Sequence, residues 1–134
     1  MGDMNGPVMR TLARVAERHG DPVDLVYAEL FRRHPEMRAK FVLDTNGAVR
    51  GNMLANVVAV LDDLESDRRY GLNMLRAEMQ THDNLGVPPA MFLEFLDIVR
   101  AAVADALGAE WTEVAAADWE AVIAVARTAE PAGA

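Results

Sequence analysis

The sequence predicts an all-α protein with a single domain over residues 1–134, and three observations support this fold class. Apolar residues recur every three or four positions over long stretches, as they do on one face of a helix. No stretch alternates apolar and polar residues in the manner of a half-buried strand. Glycine and proline stand where the helical stretches end, which predicts short connections between helices. Residues 1–6 and 130–134 are expected to be frayed tails.

The first two helices are delimited by proline and glycine. One is expected from Pro7 to about Arg18, with Gly20 ending it. Asp21-Pro22 begins the second, because an Asp side chain can cap the first turn and proline presets φ. His34-Pro35 breaks it, since the residue before proline is pushed out of the helical region. The residues expected to be buried here are Met9, Leu12, Val15, Ala16, Val23, Val26, Tyr27, Leu30 and Phe31.

A long helix is expected from about Ala48 to Leu64, after a short helical turn over 35–40 and a polar turn over 44–47. Its apolar side chains step by three or four positions, so they share one face. These residues are Met53, Val57, Val60, Leu61 and Leu64.

The next helical stretch ends in a histidine. Its apolar stripe comprises Leu72, Leu75 and Met79, and His82 follows at the same spacing. Gly86 stops this helix, and Pro88-Pro89 can begin another. A histidine at a helix end that faces the core can offer a neutral imidazole nitrogen to a metal or haem iron. A lone histidine on an apolar face is, however, more often a structural residue.

The most regular helix follows Pro88 and ends at Gly108, and Thr112 can cap the last helix. The apolar stripe of the former comprises Phe92, Phe95, Leu96, Val99, Val103 and Leu107. The residues expected to be buried in the last helix are Val114, Trp119, Val122, Ile123 and Ala126.

The composition is that of a globular protein without cysteine chemistry. Hydrophobic residues make up 51% and charged residues 25%, and 134 residues are enough to bury a core. The absence of cysteine excludes disulfides and thiolate metal sites. A net charge of -8 argues against a nucleic-acid surface and against docking onto anionic lipid. No apolar run has the length of a membrane span and the N-terminus lacks a signal-peptide pattern, so we expect a soluble cytoplasmic protein.

Three blocks of this sequence resemble the globin family, most closely the single-domain bacterial globins and the haem domain of flavohaemoglobins. Residues 27–41 are similar to the second globin helix and the turn after it. His82, followed by Gly86, a proline and Phe92 opening a long apolar helix, resembles the proximal-histidine region. Residues 107–119, with two tryptophans, resemble the entry to the last helix. The blocks come in the right order over about residues 10 to 127.

The resemblance implies a globin fold of about six to seven helices around a haem pocket. It implies haem b (iron protoporphyrin IX), held non-covalently since no cysteine is present to attach it. The implied function is reversible binding of oxygen and of other diatomic gases, carbon monoxide and nitric oxide, at ferrous iron. No catalytic residue is assigned.

The resemblance also assigns roles to individual residues. His82 would bind the iron, and its second ring nitrogen would donate to a nearby carbonyl group. Tyr27 would donate its hydroxyl hydrogen to bound oxygen, and Phe41 would contact the haem face. The further residues expected in the haem pocket are Val57, Leu75, Met79, Leu85, Val87 and Phe92.

The distal side of the pocket allows two registers of the long helix. In the first, Val49 stands where flavohaemoglobins commonly carry a glutamine and Met53 lies one turn further along. In the second, Arg50 and Leu54 face inward, and Arg50 could add a cationic donor. The apolar face that begins at Met53 favours the first register.

Two departures from the flavohaemoglobin pattern bear on activity. Phe92 stands where those proteins carry a tyrosine of a proximal hydrogen-bond relay, and the sequence ends near where the glutamate of that relay should be. A proximal relay is therefore doubtful. The 134 residues also leave no room for a flavin domain. Consumption of nitric oxide would therefore need an external reductase.

Two other classes of function remain open. A globin-fold sensor or interaction module would act through a partner protein, with or without haem, because a fold does not imply its chemistry. A non-haem metal protein is weakly supported, since His19, His34 and His82 lie on different segments and the first two are expected to be exposed.

Overall fold

A computed structural model describes residues 6–131, which form six α-helices and two short 3-10 segments and contain no strand. The helices are α1 (Pro7–His19), α2 (Val23–Arg33), α3 (Ala48–Leu64), α4 (Gly71–Asn84), α5 (Pro89–Leu107) and α6 (Glu113–Arg127). The 3-10 segments are Pro35–Phe41 and Gly108–Glu110. The predicted all-α class is confirmed. The bounds of α3 are those predicted, and α1 extends one residue further. The predicted tails lie mostly outside the described residues.

Helix α5 is the central element, because it packs against α1, α2, α4 and α6. Its buried side chains lie on more than one side of the helix, as expected of a helix surrounded by others. They are Leu93, Leu96, Ile98, Val99, Ala102, Val103 and Leu107. Helix α3 also contacts four helices, α1, α2, α4 and α6, and together with α4 and α5 it encloses one end of the core.

The C-terminal end of α3 carries two carboxylates that cap other helices. Asp63 is 5% exposed and accepts hydrogen bonds from the backbone N–H groups of Arg69, Tyr70 and Gly71, at 2.9, 3.1 and 2.6 Å. Glu65 accepts the N–H groups of the first turn of α1, those of residues 8 and 9, each at 2.9 Å. These donors have no partner within their own helices, so the carboxylates satisfy groups that helix geometry leaves open.

Three predictions about burial are wrong. Val114 is 71% exposed, because it lies about 140° around the helix from Trp119, at 3.6 residues per turn. Ala16 is exposed in the last turn of α1. His34 is not an exposed residue: its side chain is 22% exposed, and its Nε2 lies 2.9 Å from a carboxylate oxygen of Glu94.

The predicted cap of the last helix is confirmed. The N–H group of Ala115 donates to Oγ1 of Thr112 at 3.0 Å. Within residues 6–131, no helix is both long and apolar enough to cross a membrane.

Candidate functional site

A cavity of about 400 Å³ opens between α2, the Pro35–Phe41 segment, α3, α4 and α5. This volume lies in the range of small-molecule sites. Its walls are mostly apolar, as is typical of a site for a flat organic cofactor. The lining residues are Leu30, Met37, Lys40, Phe41, Val49, Met53, Asn56, Val57, Val60, Met74, Leu75, Glu78, His82, Leu85, Val87, Met91, Phe92 and Phe95.

His82 faces this cavity with a fixed tautomer. Its Nδ1 lies 2.8 Å from the backbone carbonyl oxygen of Glu78, one helical turn earlier. A carbonyl only accepts hydrogen bonds, so Nδ1 carries the proton and the lone pair of a neutral ring is on Nε2. The ring of Phe92 packs against the imidazole, with centroids 4.7 Å apart. The imidazole is therefore held from two sides, with Nδ1 engaged by the carbonyl and Nε2 left without a protein partner at that bond.

The backbone of His82 is held by the end of α4. The N–H group of Val87 donates to the carbonyl oxygen of His82 at 2.8 Å, and the N–H group of Gly86 donates to that of Asp83 at 3.0 Å. This pair of bonds is a Schellman motif, which needs the left-handed backbone that Gly86 adopts with φ of 88°. The glycine predicted to end the helix thereby also fixes the position of the histidine.

Tyr27 is buried next to the cavity but does not line it. It is 1% exposed, and its ring packs on Phe41 and Phe95, both lining residues, with centroids 5.4 and 5.6 Å away. Among the described residues, its hydroxyl is the one buried side-chain polar atom without a hydrogen-bond partner. Such a group is costly, so it needs an explanation beyond packing.

The Tyr27 hydroxyl remains protonated at ordinary pH. Burial raises the pKa of Tyr27 above its usual value of about 10; the positive charge of Arg50 lowers this pKa and the negative charge of Asp44 raises it. The hydroxyl can therefore donate a hydrogen bond to a ligand.

The structure shows which face of α3 borders the cavity. Val49, Met53 and Val57 line it, whereas Leu54 is buried in the core at 3% exposure. The Arg50 side chain turns to Asp44 instead, with Nε at 3.0 Å from a carboxylate oxygen. This is the first of the two registers considered above, and it leaves α3 without a cation directed into the cavity.

Most of the residues predicted for the site lie around this cavity. They are His82, Phe41, Val49, Met53, Val57, Leu75, Leu85, Val87 and Phe92. Four predicted residues do not line it, namely Tyr27, Arg50, Leu54 and Met79, the last of which is 1% exposed in the core behind.

Sequence reasoning missed half of the cavity wall. Val60 and Phe95 belonged to recognised apolar stripes, and their spacing of three from Val57 and Phe92 could have found them. The polar lining residues Lys40, Asn56 and Glu78 gave no signal, because they lie in positions that read as solvated surface.

The residues around the cavity fit a haem. The space is apolar, one imidazole lines it with its Nδ1 bound to a backbone carbonyl, and a buried hydroxyl donor without a partner lies next to the wall. Elsewhere in residues 6–131, no three histidine, aspartate or glutamate side chains gather to hold a metal ion. The single histidine suits a cofactor that brings its own equatorial ligands, as haem does.

Comparison with known proteins agrees with this geometry. The family model described as "Globin" matches residues 24–129, which include every residue of the cavity wall. No curated protein and no solved structure matched the chain in the other two comparisons. A match over this share of the chain, on an all-α fold with this cavity, shows that the chain belongs to the globin family, whose members typically bind haem and diatomic gases.

Proposed function

We propose that this globin binds haem b non-covalently in the cavity and uses it to bind oxygen reversibly. The observation that carries the proposal is the histidine: among the described lining residues, His82 is the one imidazole, and its Nε2 is left free by the hydrogen bond at Nδ1. Bound haem supplies a ferrous iron at which oxygen, carbon monoxide or nitric oxide can bind.

In this proposal His82 is the iron ligand, and its neighbours position it. The carbonyl of Glu78 holds the ring orientation, Phe92 packs on the ring, and the Schellman motif holds the backbone. Phe41 and Val57 would contact the macrocycle from the walls they form. Apolar walls exclude water, which protects ferrous iron from oxidation.

Tyr27 is proposed as the donor to oxygen. Its buried hydroxyl lacks a partner, and its ring packs on two side chains that form the wall. Movement of Phe41 and Phe95 around bound haem would open the hydroxyl to the cavity. A hydroxyl donor stabilises oxygen, which becomes polar on binding, more than it stabilises carbon monoxide.

Lys40 is proposed to hold the acidic side chains of the haem. It is the one lysine or arginine among the described lining residues, and Glu78 is the one acidic residue among them. The Lys40 ammonium lies 3.5 Å from the carbonyl oxygen of Leu85 and so reaches the α4–α5 corner. Haem carboxylates would be attracted toward Lys40 and repelled by Glu78.

We further propose that this chain, like the single-domain bacterial globins it resembles, acts together with separate partner proteins. Conversion of nitric oxide to nitrate combines one NO, one O2 and one electron. Continuous turnover therefore needs an external reductase as the electron donor. The supporting observation is the mostly apolar wall of the cavity, which suits small neutral molecules such as these gases. Turnover with a generic reductase would support this activity, whereas stoichiometric consumption would favour a binding protein.

The decisive experiment is an absorption spectrum of protein produced with haem available, in oxidised, reduced and carbon monoxide-bound forms. We expect a Soret band that shifts on reduction and again with carbon monoxide. His82→Ala should abolish stable haem retention, whereas Asp83→Asn, a change one residue further along α4, should not. Absence of a Soret band from the unaltered protein would overturn the proposal and favour a haem-free sensor or interaction module.

A further inference from the structure

The carboxylate of Glu78 lies beside the histidine that faces the cavity. Its Oε2 is 3.8 Å from Nδ1 of His82, the same nitrogen that donates to the Glu78 backbone carbonyl at 2.8 Å. One residue thus places a hydrogen-bonded carbonyl and a nearby carboxylate beside the same nitrogen. The Glu78 side chain is 39% exposed and the His82 side chain 19%, so the pair lies at the edge of the cavity and not in bulk solvent.

Among the described residues, His82 is the one basic side chain at ion-pair distance from the Glu78 carboxylate. Within residues 6–131, no lysine or arginine lies at ion-pair distance from its carboxylate, whereas Asp44 pairs with Arg50 and Glu94 with Arg33. Its position four residues before His82 places both side chains on one face of α4.

We infer that the Glu78 carboxylate is a positioning residue that raises the donor strength of His82 toward iron. At 3.8 Å it acts through its charge, because that distance exceeds a hydrogen bond. A negative charge beside the Nδ1 proton polarises the N–H bond and makes Nε2 more electron-rich, as carboxylate partners of metal-bound histidines do. This inference rests on the proposed role of His82.

Phe92 contacts the same imidazole on the proximal side. That residue has no hydroxyl, and it packs on the imidazole instead of forming a relay to a carboxylate in the last helix. The structure supplies a carboxylate from within α4 itself, with no intermediate residue. The proximal side therefore has an anionic partner, and it comes from α4 and not from the last helix.

The test is the iron–histidine stretching band in the resonance Raman spectrum of the reduced, ligand-free holoprotein. We expect Glu78→Gln to move this band to lower frequency and to make the reduction potential of the haem more positive. Glu78→Asp, which keeps the charge but shortens the side chain, should give a smaller shift in the same direction. Haem loss from Glu78→Gln should be faster, at the low end of the roughly 10–100-fold range for lost partners of metal ligands.

Asp83→Asn is the matched control, because it removes the same charge one residue after His82 from a position with no contact to Nδ1. An unshifted band in Glu78→Gln, or an equal shift in Asp83→Asn, would overturn the inference while leaving haem binding intact. A native protein without a Soret band would overturn the inference together with the proposed function, so the two failures are distinguishable.

Discussion

The indole Nε1 of Trp119 donates a hydrogen bond to Oγ1 of Thr11 at 2.9 Å, between residues 108 positions apart in the chain. The Thr11 hydroxyl in turn donates to the carbonyl oxygen of Val8 at 2.7 Å. Trp119 is fully buried, so its N–H group has no access to water. This relationship joins α6 to α1.

Thr11→Val should destabilise the protein by about 1–3 kcal/mol, because it leaves the buried indole N–H group without an acceptor. The free energy of unfolding of the haem-free protein in urea is the measurement. Thr11→Ser keeps the hydroxyl and should lose less. Equal losses in the two variants would show that packing of the threonine methyl group is responsible, and not the hydrogen bond.

Tyr27→Phe should separate stability from ligand binding. Its hydroxyl is buried without a partner, so its removal should leave the free energy of unfolding of the haem-free protein unchanged or raise it by up to about 1 kcal/mol. In the haem-loaded protein, oxygen should dissociate about tenfold faster, since one hydrogen bond contributes about 1–1.5 kcal/mol.

Stopped-flow measurements of oxygen and carbon monoxide dissociation test the role of Tyr27. The rate for carbon monoxide should change less than the rate for oxygen. If both rates change by the same factor, the hydroxyl does not interact with the ligand and Tyr27 acts on the cavity only through packing.

The contribution of Asp63 to the stability of the α3–α4 corner should depend on pH. Desolvation by burial raises its pKa, but the backbone hydrogen bonds from Arg69, Gly71 and Tyr70 and the charge of Arg69 lower it more, so the folded-state pKa lies below the usual value. An unfolded Asp titrates near about 3.9. The stabilisation is therefore complete above about pH 5 and is lost as the pH falls through the lower, folded-state pKa.

Urea unfolding between about pH 6 and pH 3 measures this contribution. Asp63→Asn should be less stable at pH 6 by about 1–3 kcal/mol and should lose less further stability in acid. Asp62→Asn, a change one position earlier that caps no helix, is the control. Parallel pH profiles for the native protein and Asp63→Asn would contradict the prediction.

Lys40→Met should speed haem loss by up to about fivefold, because an exposed ion pair contributes at most about 1 kcal/mol. Transfer of haem to an acceptor protein measures the rate. Haem dimethyl ester lacks the carboxylates, so with it the native protein and the variant should lose haem at the same rate. An effect of the substitution that persists with the ester would show that Lys40 acts through packing.

The fold was predictable because its determinants are local. Gly47 and Thr112 precede helices at the predicted places, and the spacing in α3 and α5 identified the buried faces. Val114 was misassigned because its burial depends on which side of α6 meets the other helices, and hydrophobicity alone does not encode that side. His34 was misassigned because its partner Glu94 is 60 residues away.

Part of the wall of the candidate site was predictable from the resemblance to globins. His82, Phe41 and Phe92 lie at the cavity as expected. Lys40 and Glu78 were not predicted, because a charged residue on a helix usually faces solvent. Only the relative placement of α4 and the Pro35–Phe41 segment brings these two residues to the cavity. The register of α3 was predictable from the apolar face that begins at Met53, but the pairing of Arg50 with Asp44 is a contact that no periodicity reveals.

The two carboxylates at the end of α3 are separated by a single residue, yet they serve α1 and α4, which approach from different directions. Successive helical positions differ by about 100° in direction, so inserting one residue between Asp63 and Glu65 would turn one carboxylate away from its helix. The length of the chain at this corner is therefore constrained as strictly as its composition. A Cβ atom at Gly6 would collide with the Glu65 carboxyl group, so a side chain there would require the Glu65 side chain to move. Variation in length among sequences that keep this corner should be confined to other connections.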